Sequence, residues 1–354
     1  MNARISGLGQ WLPDAVRDNS WWPAEFAERA RSSGRRELVD VDTEHPSLAD
    51  NIACRCFLEE NGDPFLGTTA RRVAPDALTA PEAEALAARQ ALDEAGVAAS
   101  QLDAVFSWAA VPERVVPPSA PKVAELLGAG RAYAVGLDAA CASPILQLEI
   151  ASSLIESGRA THVLLTQSHL ITRTFAAMHP ASPNVGDAAT AMVVSASQSQ
   201  GVVMTHAVTH GEYYPSVTWC RGKDSDDPWW RAGPDFYLGS QDRAKAQELV
   251  LGTVRLAAET IRELFARASA TLDQADLLAS VQPRRWIPGA IVEALGIDCH
   301  APQTFDEFAH LGGCGVIVNL CAARTRGLLS PGSRVVLYAQ GAGFTRAAAL
   351  VSWQ

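Results

Sequence analysis

The chain lacks the long apolar segments from which membrane-spanning helices are built. No stretch reaches the roughly 20 apolar residues that cross a bilayer, and the first residues, Met-Asn-Ala-Arg-Ile-Ser, contain no apolar run of signal-peptide length. With a formal charge of −10 over 354 residues, the chain also lacks the excess of lysine and arginine that binds nucleic acid. These absences predict a cytoplasmic protein with neither a membrane nor a nucleic-acid partner.

The cysteines lack the paired spacing of a zinc site, because Cys54-Arg-Cys56 is not followed by a second pair of ligands. The chain has seven cysteines, and an odd number without a secretion signal is typical of a reducing compartment. The sequence therefore predicts neither a metal site nor disulfides. An unpaired cysteine is most often a small buried apolar residue, so a chemical role has to be argued from its surroundings.

One cysteine has such surroundings. Cys141 follows a strand-like apolar run, residues 132–137, and precedes a helix-like stretch that reaches Gly158. Its neighbours on both sides are alanine or serine, which leaves room for a substrate, and Pro144 suits the first turn of a helix. Unpaired N–H groups and the dipole at a helix N-terminus favour thiolate over thiol. This context predicts a nucleophile with a lowered pKa, alongside the alternative of a structural cysteine.

Strand-like and helix-like segments alternate from Thr79 onwards. Helices are predicted over 81–95, 119–127 and 144–157, with strands at 102–109, 132–137 and 161–167. The second half repeats the rhythm, with helices over 240–268 and 288–295 and strands at 277–281, 335–337 and 347–353. Alternation of this kind predicts a largely parallel, buried sheet in each half.

We divide the chain into two halves, residues 1–200 and 240–354, separated by an aromatic insertion or linker at 201–239. The insertion is too aromatic for a disordered linker, and we expect it to cover a pocket or a subunit contact. Its aromatic residues are Tyr213, Tyr214, Trp219, Trp229, Trp230, Phe236 and Tyr237. A wall and packing role is favoured over a specific acceptor site.

Five motifs occur in a fixed order across residues 65–354. They are Gly67-Thr-Thr-Ala-Arg-Arg, Asp138-Ala-Ala-Cys-Ala, Ser157-Gly-Arg-Ala-Thr-His, Gly186-Asp-Ala-Ala-Thr-Ala and Gly341-Ala-Gly-Phe-Thr-Arg. In this order they resemble the ketosynthase III branch of the thiolase superfamily. The resemblance implies an α/β fold with the five-layered αβαβα arrangement of two similar halves. It also implies a homodimer without a permanently bound cofactor.

The resemblance further implies that Cys141 accepts an acyl group as a thioester, from acyl-CoA or from the phosphopantetheine of an acyl carrier protein. Exchange of an acyl thioester needs a thiolate, a base and two N–H donors for the oxyanion. By the resemblance, Cys141 supplies the sulfur and one backbone N–H. The second N–H belongs to Ala342, between Gly341 and Gly343 in the glycine loop.

The chain departs from the family at the base. Decarboxylating members carry a His and an Asn in the second half, whereas the stretch 279–286 has no histidine here and His310 occupies the Asn position. This pattern resembles a divergent natural-product branch of acyltransferases with a His-Leu-Gly motif. It implies transfer to a hydroxyl, an amine or a carrier thiol without decarboxylative condensation, with the imidazole as base. That branch has an Asp five residues after the His, where this chain has Gly315, which leaves Asp306 as the candidate orienting group.

Other functions stay open at this point. The chain could be a condensing enzyme that uses a Cys-His dyad, a non-catalytic partner subunit of a ketosynthase heterodimer, or a cysteine hydrolase. Family positions that bind the coenzyme A nucleotide hold Asn61, Phe65 and Pro180 here, which favours a carrier protein as the donor. The family position that gates the acyl pocket corresponds to Pro117 or a neighbour.

The remaining charged and imidazole side chains are interpreted as structural. Arg284 and Arg285 are most simply a solvated pair, with the phosphate of phosphopantetheine as an alternative partner. Four histidines that match no motif are expected to have no catalytic role: His169, His179, His206 and His210.

Overall fold

The computed structural model describes residues 1–29, 47–60, 62–221, 230–231 and 236–354. Of the positions discussed above, Asn61 and Trp229 lie outside these ranges. The strands are β1 (Asn2–Trp11), β2 (Val16–Asp18), β3 (Ala70–Arg72), β4 (Ala104–Ala109), β5 (Tyr133–Gly136), β6 (His162–His169), β7 (Ala188–Ser197), β8 (Val202–Thr209), β9 (Thr218–Arg221), β10 (Phe236–Gly239), β11 (Leu277–Ser280), β12 (Arg334–Gly341) and β13 (Thr345–Ser352).

The α-helices lie between these strands as the alternation predicts. They are α1 (Leu48–Glu59), α2 (Ala80–Ala95), α3 (Ser119–Leu127), α4 (Ser143–Glu156), α5 (Arg243–Arg267), α6 (Ile287–Leu295), the single turn α7 (Phe305–Phe308) and α8 (Cys314–Thr325). Local signals set several of their ends. Thr79 and Glu82 form a capping box at the start of α2, and Gly96, Gly128 and Gly296 end α2, α3 and α6 in the left-handed conformation.

The two halves of the chain build sheets of the same topology. The first sheet has the order β1-β7-β6-β4-β5, and the second has the order β8-β13-β12-β11. In both sheets the first three strands in this order pair antiparallel, and the third pairs parallel with the fourth, β6 with β4 or β12 with β11. The sheets are therefore mixed, and the prediction of largely parallel sheets was wrong. An isolated parallel bridge between Leu277 of β11 and His300 lies at the edge of the second sheet, in the position that β5 has in the first. The duplication inferred from element order therefore extends to strand direction.

Helices α4 and α8 lie between the two sheets and contact both of them. Their apolar side chains join strands of each sheet in one buried cluster, which includes Ile145, Leu148, Val316 and Leu320. Helices α2 and α3 cover the outer face of the first sheet, and α1, α5 and α6 cover that of the second. The order of layers is αβαβα, as predicted. The middle layer matters for function because both of its helices begin at the candidate site.

Strand β1 was not predicted from the sequence, because two glycines interrupt its apolar pattern. Gly7 and Gly9 lie where helix α2 crosses the strand: a Cβ on Gly7 would be 2.1 Å from the carbonyl oxygen of Ala91, and one on Gly9 would be 1.9 Å from that of Ala87. Glycine in a strand often marks such a close approach of another backbone. The residues that hide the strand in the sequence are therefore those that let the helix pack on it.

The boundary drawn at residues 201–239 needs a correction. Residues 202–209 form β8, which pairs antiparallel with β13 and belongs to the second sheet. We therefore propose that the second half begins at Val202 and that the insertion is limited to residues 210–239. Among its described residues, Trp219 and Tyr237 pack against rings of the first half, whereas Tyr214 is 69% exposed. The ring of His179 lies 4.8 Å from that of Phe175 and 4.3 Å from that of Tyr237, measured between centroids.

Glu84 on α2 is fully buried and accepts three hydroxyl hydrogen bonds. Ser107 Oγ and Thr166 Oγ1 donate to Oε2 at 2.6 and 2.5 Å, and Ser168 Oγ donates to Oε1 at 2.8 Å. Burial disfavours the carboxylate and raises the pKa of Glu84 from 4.5 to about 7, although the hydroxyls oppose this. Because the folded state binds this proton more tightly than the unfolded chain does, the stability that Glu84 contributes is full below pH 4.5 and is lost as the pH rises through about 7.

We expect the free energy of unfolding of the wild type, relative to that of Glu84→Gln, to fall by about 3 kcal/mol between pH 4.5 and pH 8. Glutamine keeps the size and an acceptor oxygen but has no proton to lose in this range. Urea unfolding at several pH values measures the difference. Glu125→Gln on α3 is the control for loss of an exposed carboxylate. If the wild type and Glu84→Gln differed in free energy of unfolding by the same amount at pH 4.5 and at pH 8, the pKa of Glu84 would be the same in the folded and unfolded chains.

Candidate active site

Cys141 lies in a tight turn between β5 and α4. The turn is closed by main-chain hydrogen bonds from Ala142 N to Ala139 O at 3.1 Å and from Ser143 N to Ala140 O at 3.0 Å. Two side chains hold it from outside. Asp138 Oδ1 accepts from Ala140 N at 2.8 Å, and Ser143 Oγ accepts from Ala139 N at 2.8 Å. The thiol is thus presented by an ordered strand-turn-helix segment, as the sequence predicts.

The residue before the nucleophile is in a strained conformation. Ala140 has a φ of +50°, a region that residues other than glycine seldom occupy. Strain of this kind persists where the surroundings over-determine the backbone, and it is frequent at active sites. Here the fixing group is Asp138, whose Oδ1 also accepts from Trp108 Nε1 at 2.9 Å. The turn therefore holds its shape independently of any substrate.

His310 is brought to Cys141 from the other half of the chain. Its Nε2 lies 3.9 Å from Cys141 Sγ. The main chain of His310 is fixed on both sides, since its N–H donates to Asn184 O at 3.0 Å and its carbonyl accepts from Gly186 N at 3.0 Å. The pairing of Cys141 with His310 that the resemblance implies is therefore present in the structure.

The group that orients His310 is a main-chain carbonyl. His310 Nδ1 lies 3.0 Å from the oxygen of Gln282, so Nδ1 carries the hydrogen and Nε2 faces the thiol as an acceptor. The sequence left the orienting group open, with Asp306 as a candidate, and Asp306 does not take this role in the structure. The described residues show no hydrogen bond between the Asp306 side chain and His310, and its main-chain oxygen accepts from Thr69 N at 2.8 Å instead.

The carbonyl of Gln282 is itself anchored through its side chain. Gln282 Oε1 accepts from Thr304 N at 3.1 Å and from Asn319 Nδ2 at 2.9 Å, and Thr304 Oγ1 donates to Asn319 Oδ1 at 2.9 Å. All three residues are buried. This buried network holds Gln282 Oε1 in place, whereas Gln282 Nε2 has no hydrogen-bond partner among the described residues. The network provides the rigidity that a carboxylate at position 315 would otherwise be expected to supply.

Two glycines after His310 allow its turn to approach the nucleophile. Gly312 has a φ of +56°. A Cβ on Gly313 would lie 3.0 Å from Cys141 O and 2.9 Å from Pro144 Cδ, so only glycine leaves this contact unstrained. The N–H of Gly313 is directed at the Cys141 sulfur, where it favours the thiolate. The His-Leu-Gly-Gly sequence therefore has a packing role at the site in addition to the imidazole.

The glycine loop packs directly on the nucleophile turn. A Cβ on Gly341 would lie 2.1 Å from Ala139 O and 3.1 Å from Cys141 N. Beside this contact, Ala342 and Gly343 line a pocket of about 590 Å³ together with Leu146 and residues 207–209 of β8. The three predicted segments thus meet at one place. The assignment of Ala342 N–H to the oxyanion stays a prediction.

The predicted thiolate is not the resting state of Cys141. Burial raises the pKa of the thiol to about 12, and the negative charge of Asp138 adds to this, whereas the N–H groups of Cys141 and Gly313 lower it. The expectation of a lowered pKa was wrong because desolvation outweighs the helix N-terminus. The sulfur is therefore a protonated thiol until a base takes the proton.

His310 is a neutral imidazole at rest. Burial lowers its pKa to about 3, the neighbouring His169 lowers it further, and the hydrogen bond to Gln282 opposes this. A neutral thiol thus faces a neutral imidazole. Proton transfer between them creates two opposite charges in a desolvated site, which is favourable only when a substrate carbonyl receives the negative charge at the same time.

His169 lies beside this pair, although it matches no motif and was expected to have no catalytic role. Its ring centroid is 5.6 Å from that of His310, in an edge-to-face arrangement at 69°. No sequence motif connects the two residues, so the pairing was visible only in the fold. The other histidines have structural partners as expected: His206 binds Glu263 at 2.6 Å, and His210 lies 2.6 Å from Arg346 Nη2.

The two adjacent arginines differ, because Arg285 is exposed as expected whereas Arg284 is half-buried. Arg284 forms an ion pair with Glu60, whose other oxygen accepts from Trp286 Nε1 at 2.8 Å. Arg285 lines a pocket of about 500 Å³ whose other charged residues are Glu59, Glu60 and Asp63. Because Glu60 is paired with Arg284, the carboxylates of Glu59 and Asp63 are left beside Arg285, and they oppose the binding of a phosphate. The alternative partner, a phosphopantetheine phosphate, is therefore disfavoured.

All seven cysteines are free thiols. Among the described residues, no group of three or more His, Cys, Asp or Glu side chains is arranged to hold a metal ion. Within the same part of the chain, no helix is at once long enough and apolar enough to cross a bilayer. These observations add no further group to the site formed by Cys141 and His310.

Comparison with known proteins agrees with this arrangement. The family described as 3-oxoacyl-(acyl-carrier-protein) synthase III matches residues 136–211, and the family of its C-terminal part matches residues 265–353. These two matches contain Cys141, His310 and the glycine loop. A β-ketoacyl-(acyl-carrier-protein) synthase III from Rhizorhabdus wittichii is 29% identical over 299 residues, which cover 81% of this chain and 88% of that protein.

Solved structures show the same fold. The 3-oxoacyl-(acyl-carrier-protein) synthase III from Aquifex aeolicus superposes with a TM-score of 0.78 at 22% identity, over 99% of this chain and all of that one. The priming β-ketosynthase of the R1128 polyketide pathway gives a TM-score of 0.78 at 22% identity, over 100% of this chain and 97% of that one. With the fold and the family matches in agreement, the chain is ketosynthase III-like and has a thiolase-like fold.

Proposed function

We propose that the chain is an acyltransferase of the His-Leu-Gly branch, which acts in natural-product biosynthesis. It loads an acyl group onto Cys141 and passes it to a hydroxyl, an amine or a carrier thiol. The observation that supports this best is the contact between Cys141 Sγ and His310 Nε2, with Nδ1 held by the Gln282 carbonyl. This contact gives the nucleophile a neutral base with a fixed acceptor nitrogen.

In the first half-reaction, the Cys141 proton passes to His310 Nε2 as the sulfur attacks the carbonyl carbon of the donor thioester. The N–H groups of Cys141 and Ala342 would stabilise the oxyanion. The bond from that carbon to the donor sulfur then breaks, and His310 returns its proton to the leaving thiol. The products are an acyl-Cys141 thioester, a free carrier thiol and a neutral imidazole.

In the second half-reaction, His310 takes the proton of the acceptor as the acceptor attacks the Cys141 thioester. The same two N–H groups would hold the second oxyanion. The bond between the carbonyl carbon and Cys141 Sγ breaks, and His310 protonates the sulfur. Because one imidazole serves both half-reactions, no second base is required.

The surroundings of His310 argue against decarboxylative condensation. An enolate formed by loss of carbon dioxide needs donors at its oxygen, and the family uses a His and an Asn side chain for this. The stretch 279–286, which corresponds to the segment with the family's His, contains no histidine. Its Val281 is 1% exposed and packs in the apolar core between the sheets. His310 Nδ1 is already engaged by Gln282. His310 could then offer only its protonated Nε2 to the enolate.

The pocket beside the glycine loop is our candidate for the acyl chain. Small residues, among them Ala140 and Ala207, line it next to the nucleophile.

An acyl carrier protein is the donor we favour. Phe65 stands where the family has an arginine, and it packs on the Trp22 ring with 5.9 Å between centroids.

We propose a homodimer that pairs through the edge of the first sheet. Strand β5 is the last strand in that sheet, and it exposes 49% of Tyr133 and 38% of Val135. Val115 and Val116, just before the predicted gate at Pro117, are 69% and 78% exposed. An open edge with exposed apolar side chains is the usual signature of a surface covered in an assembly. A stable homodimer that acylates itself would also exclude the role of a non-catalytic partner subunit.

The names of the relatives favour a second function, condensation with a Cys-His dyad, and the two functions differ in one measurable product. With malonyl-carrier protein as substrate, we expect carbon dioxide release at no more than the background rate, because the second imidazole that the family uses for the enolate is missing and His310 offers only Nε2. Release of ¹⁴CO₂ from labelled malonyl donor measures this. Release that depends on Cys141 and His310 would contradict the proposal and establish the condensing enzyme.

A further inference from the structure

The carbonyl and amide of one glycine connect two histidines of the site. His169, the last residue of β6, has its Nδ1 2.9 Å from Gly186 O, so Nδ1–H donates and Nε2 carries no hydrogen. The N–H of the same residue, Gly186, donates to His310 O at 3.0 Å. A Cβ on Gly186 would lie 2.3 Å from Phe308 O. Glycine at position 186 therefore allows the segment that carries His310 to lie against the residue to which His169 is hydrogen-bonded.

A second contact joins the histidines on the other side of His310. Gly312 has a φ of +56°, and a Cβ there would lie 2.4 Å from Cδ2 of His169. The turn that follows His310 thus rests on the His169 ring. Together with the edge-to-face contact between the rings, these contacts enclose the His310 backbone before and after the residue. His169 is 3% exposed, so its ring has no freedom to move away.

We propose that His169 is a positioning residue, which fixes His310 toward Cys141 through Gly186 on one side and Gly312 on the other. The reason for an imidazole at this position is its shape and its single donor. A flat ring fills the space under Gly312, and Nδ1–H satisfies the Gly186 carbonyl. The inference rests on the proposed function in one respect, namely that His310 is the base.

Two substitutions separate the donor from the ring. His169→Phe keeps a flat ring and removes Nδ1–H, whereas His169→Asn keeps a donor near the Nδ1 position. We expect His169→Phe to lower kcat of acyl transfer about 10-fold to 100-fold with KM within about twofold, because misplacement of a reacting group by about 1 Å has effects of this size. His169→Asn should recover most of the loss. His162→Phe, which removes a histidine hydrogen bond to Ser195 at the other end of β6, is the matched control.

A second readout needs no acyl donor. The rate at which iodoacetamide alkylates Cys141 reports whether His310 can accept the thiol proton. In His169→Phe this rate should fall toward that of His310→Gln, and in His169→Asn it should stay near the wild-type rate. Wild-type alkylation and kcat in His169→Phe, or equal loss in His169→Phe and His169→Asn, would overturn the positioning role. If the wild type forms no acyl adduct, the proposed function fails, and the alkylation rates still decide the role of His169.

Discussion

Replacing Cys141 with alanine is expected to abolish the acyl adduct and, with it, all transfer. The sulfur is the only nucleophile that the fold places between the base and the glycine loop in the described part of the chain, and alanine leaves the turn intact because its neighbours are already alanines. Intact mass spectrometry after incubation with acyl-carrier donors measures the adduct. The wild type should gain the mass of one acyl group, and Cys141→Ala should gain none.

A matched control is available on another partly exposed cysteine. Burial also raises the pKa of Cys299, to about 11, so this residue is a protonated thiol as Cys141 is. It has no imidazole partner among its hydrogen bonds in the described residues. Cys299→Ala should therefore acylate at the wild-type rate. An adduct that survives Cys141→Ala and disappears in Cys299→Ala would place the chemistry elsewhere and contradict the proposed site.

The raised pKa of Cys141 gives the same residue a second signature. For a thiol whose pKa is about 12, the thiolate fraction at lower pH increases roughly tenfold for each unit by which the pH rises. In His310→Gln, where the base is absent, alkylation by iodoacetamide should therefore rise steadily from pH 6 to pH 9. A plateau in this range would indicate a preformed thiolate and would support the lowered pKa expected from the helix N-terminus alone.

The contrast between position and pKa shows what a sequence encodes locally. The strand, turn and helix around Cys141 follow from residues within a few positions of it, and the small side chains and Pro144 predict the turn. Desolvation of the thiol is contributed by segments far away in the chain, among them residues 310–313 and 341–343. The sequence therefore predicts the turn that carries Cys141, whereas the pKa of its thiol depends on packing that no local pattern shows.

The same distinction explains the orienting group of His310. A carboxylate partner would have been visible as a residue type, and Asp306 was the nearest candidate. The group in the structure is the main-chain oxygen of Gln282, which any residue could supply. What makes it effective is the buried network with Asn319 and Thr304, and that network exists only after the second sheet and α8 have packed. No sequence motif predicts that a main-chain carbonyl will be the partner of His310.

Replacing His310 with glutamine is expected to lower the rate of acyl transfer to a hydroxyl acceptor by about 10²-fold to 10⁴-fold, which is the usual contribution of a general base. Glutamine keeps a polar side chain of similar reach and cannot take the proton. Burial holds the pKa of His310 near 3, so the wild-type imidazole is the free base throughout the assay range. Transfer by the wild type should therefore show no acid limb between pH 5 and pH 7.

The choice of acceptor decides whether His310 acts as a base or only maintains the site. Hydroxylamine is a strong nucleophile that is neutral above pH 6 and attacks a thioester without prior loss of a proton. Acyl-Cys141 that has accumulated slowly in His310→Gln during prolonged incubation with the donor should react with hydroxylamine at nearly the wild-type rate, while transfer to an alcohol stays slow. Equal loss with both acceptors would mean that His310 shapes the oxyanion site instead, and equal retention would assign the base to another residue. A selective loss with the alcohol links the 3.9 Å contact to proton transfer, because only that step differs between the two acceptors.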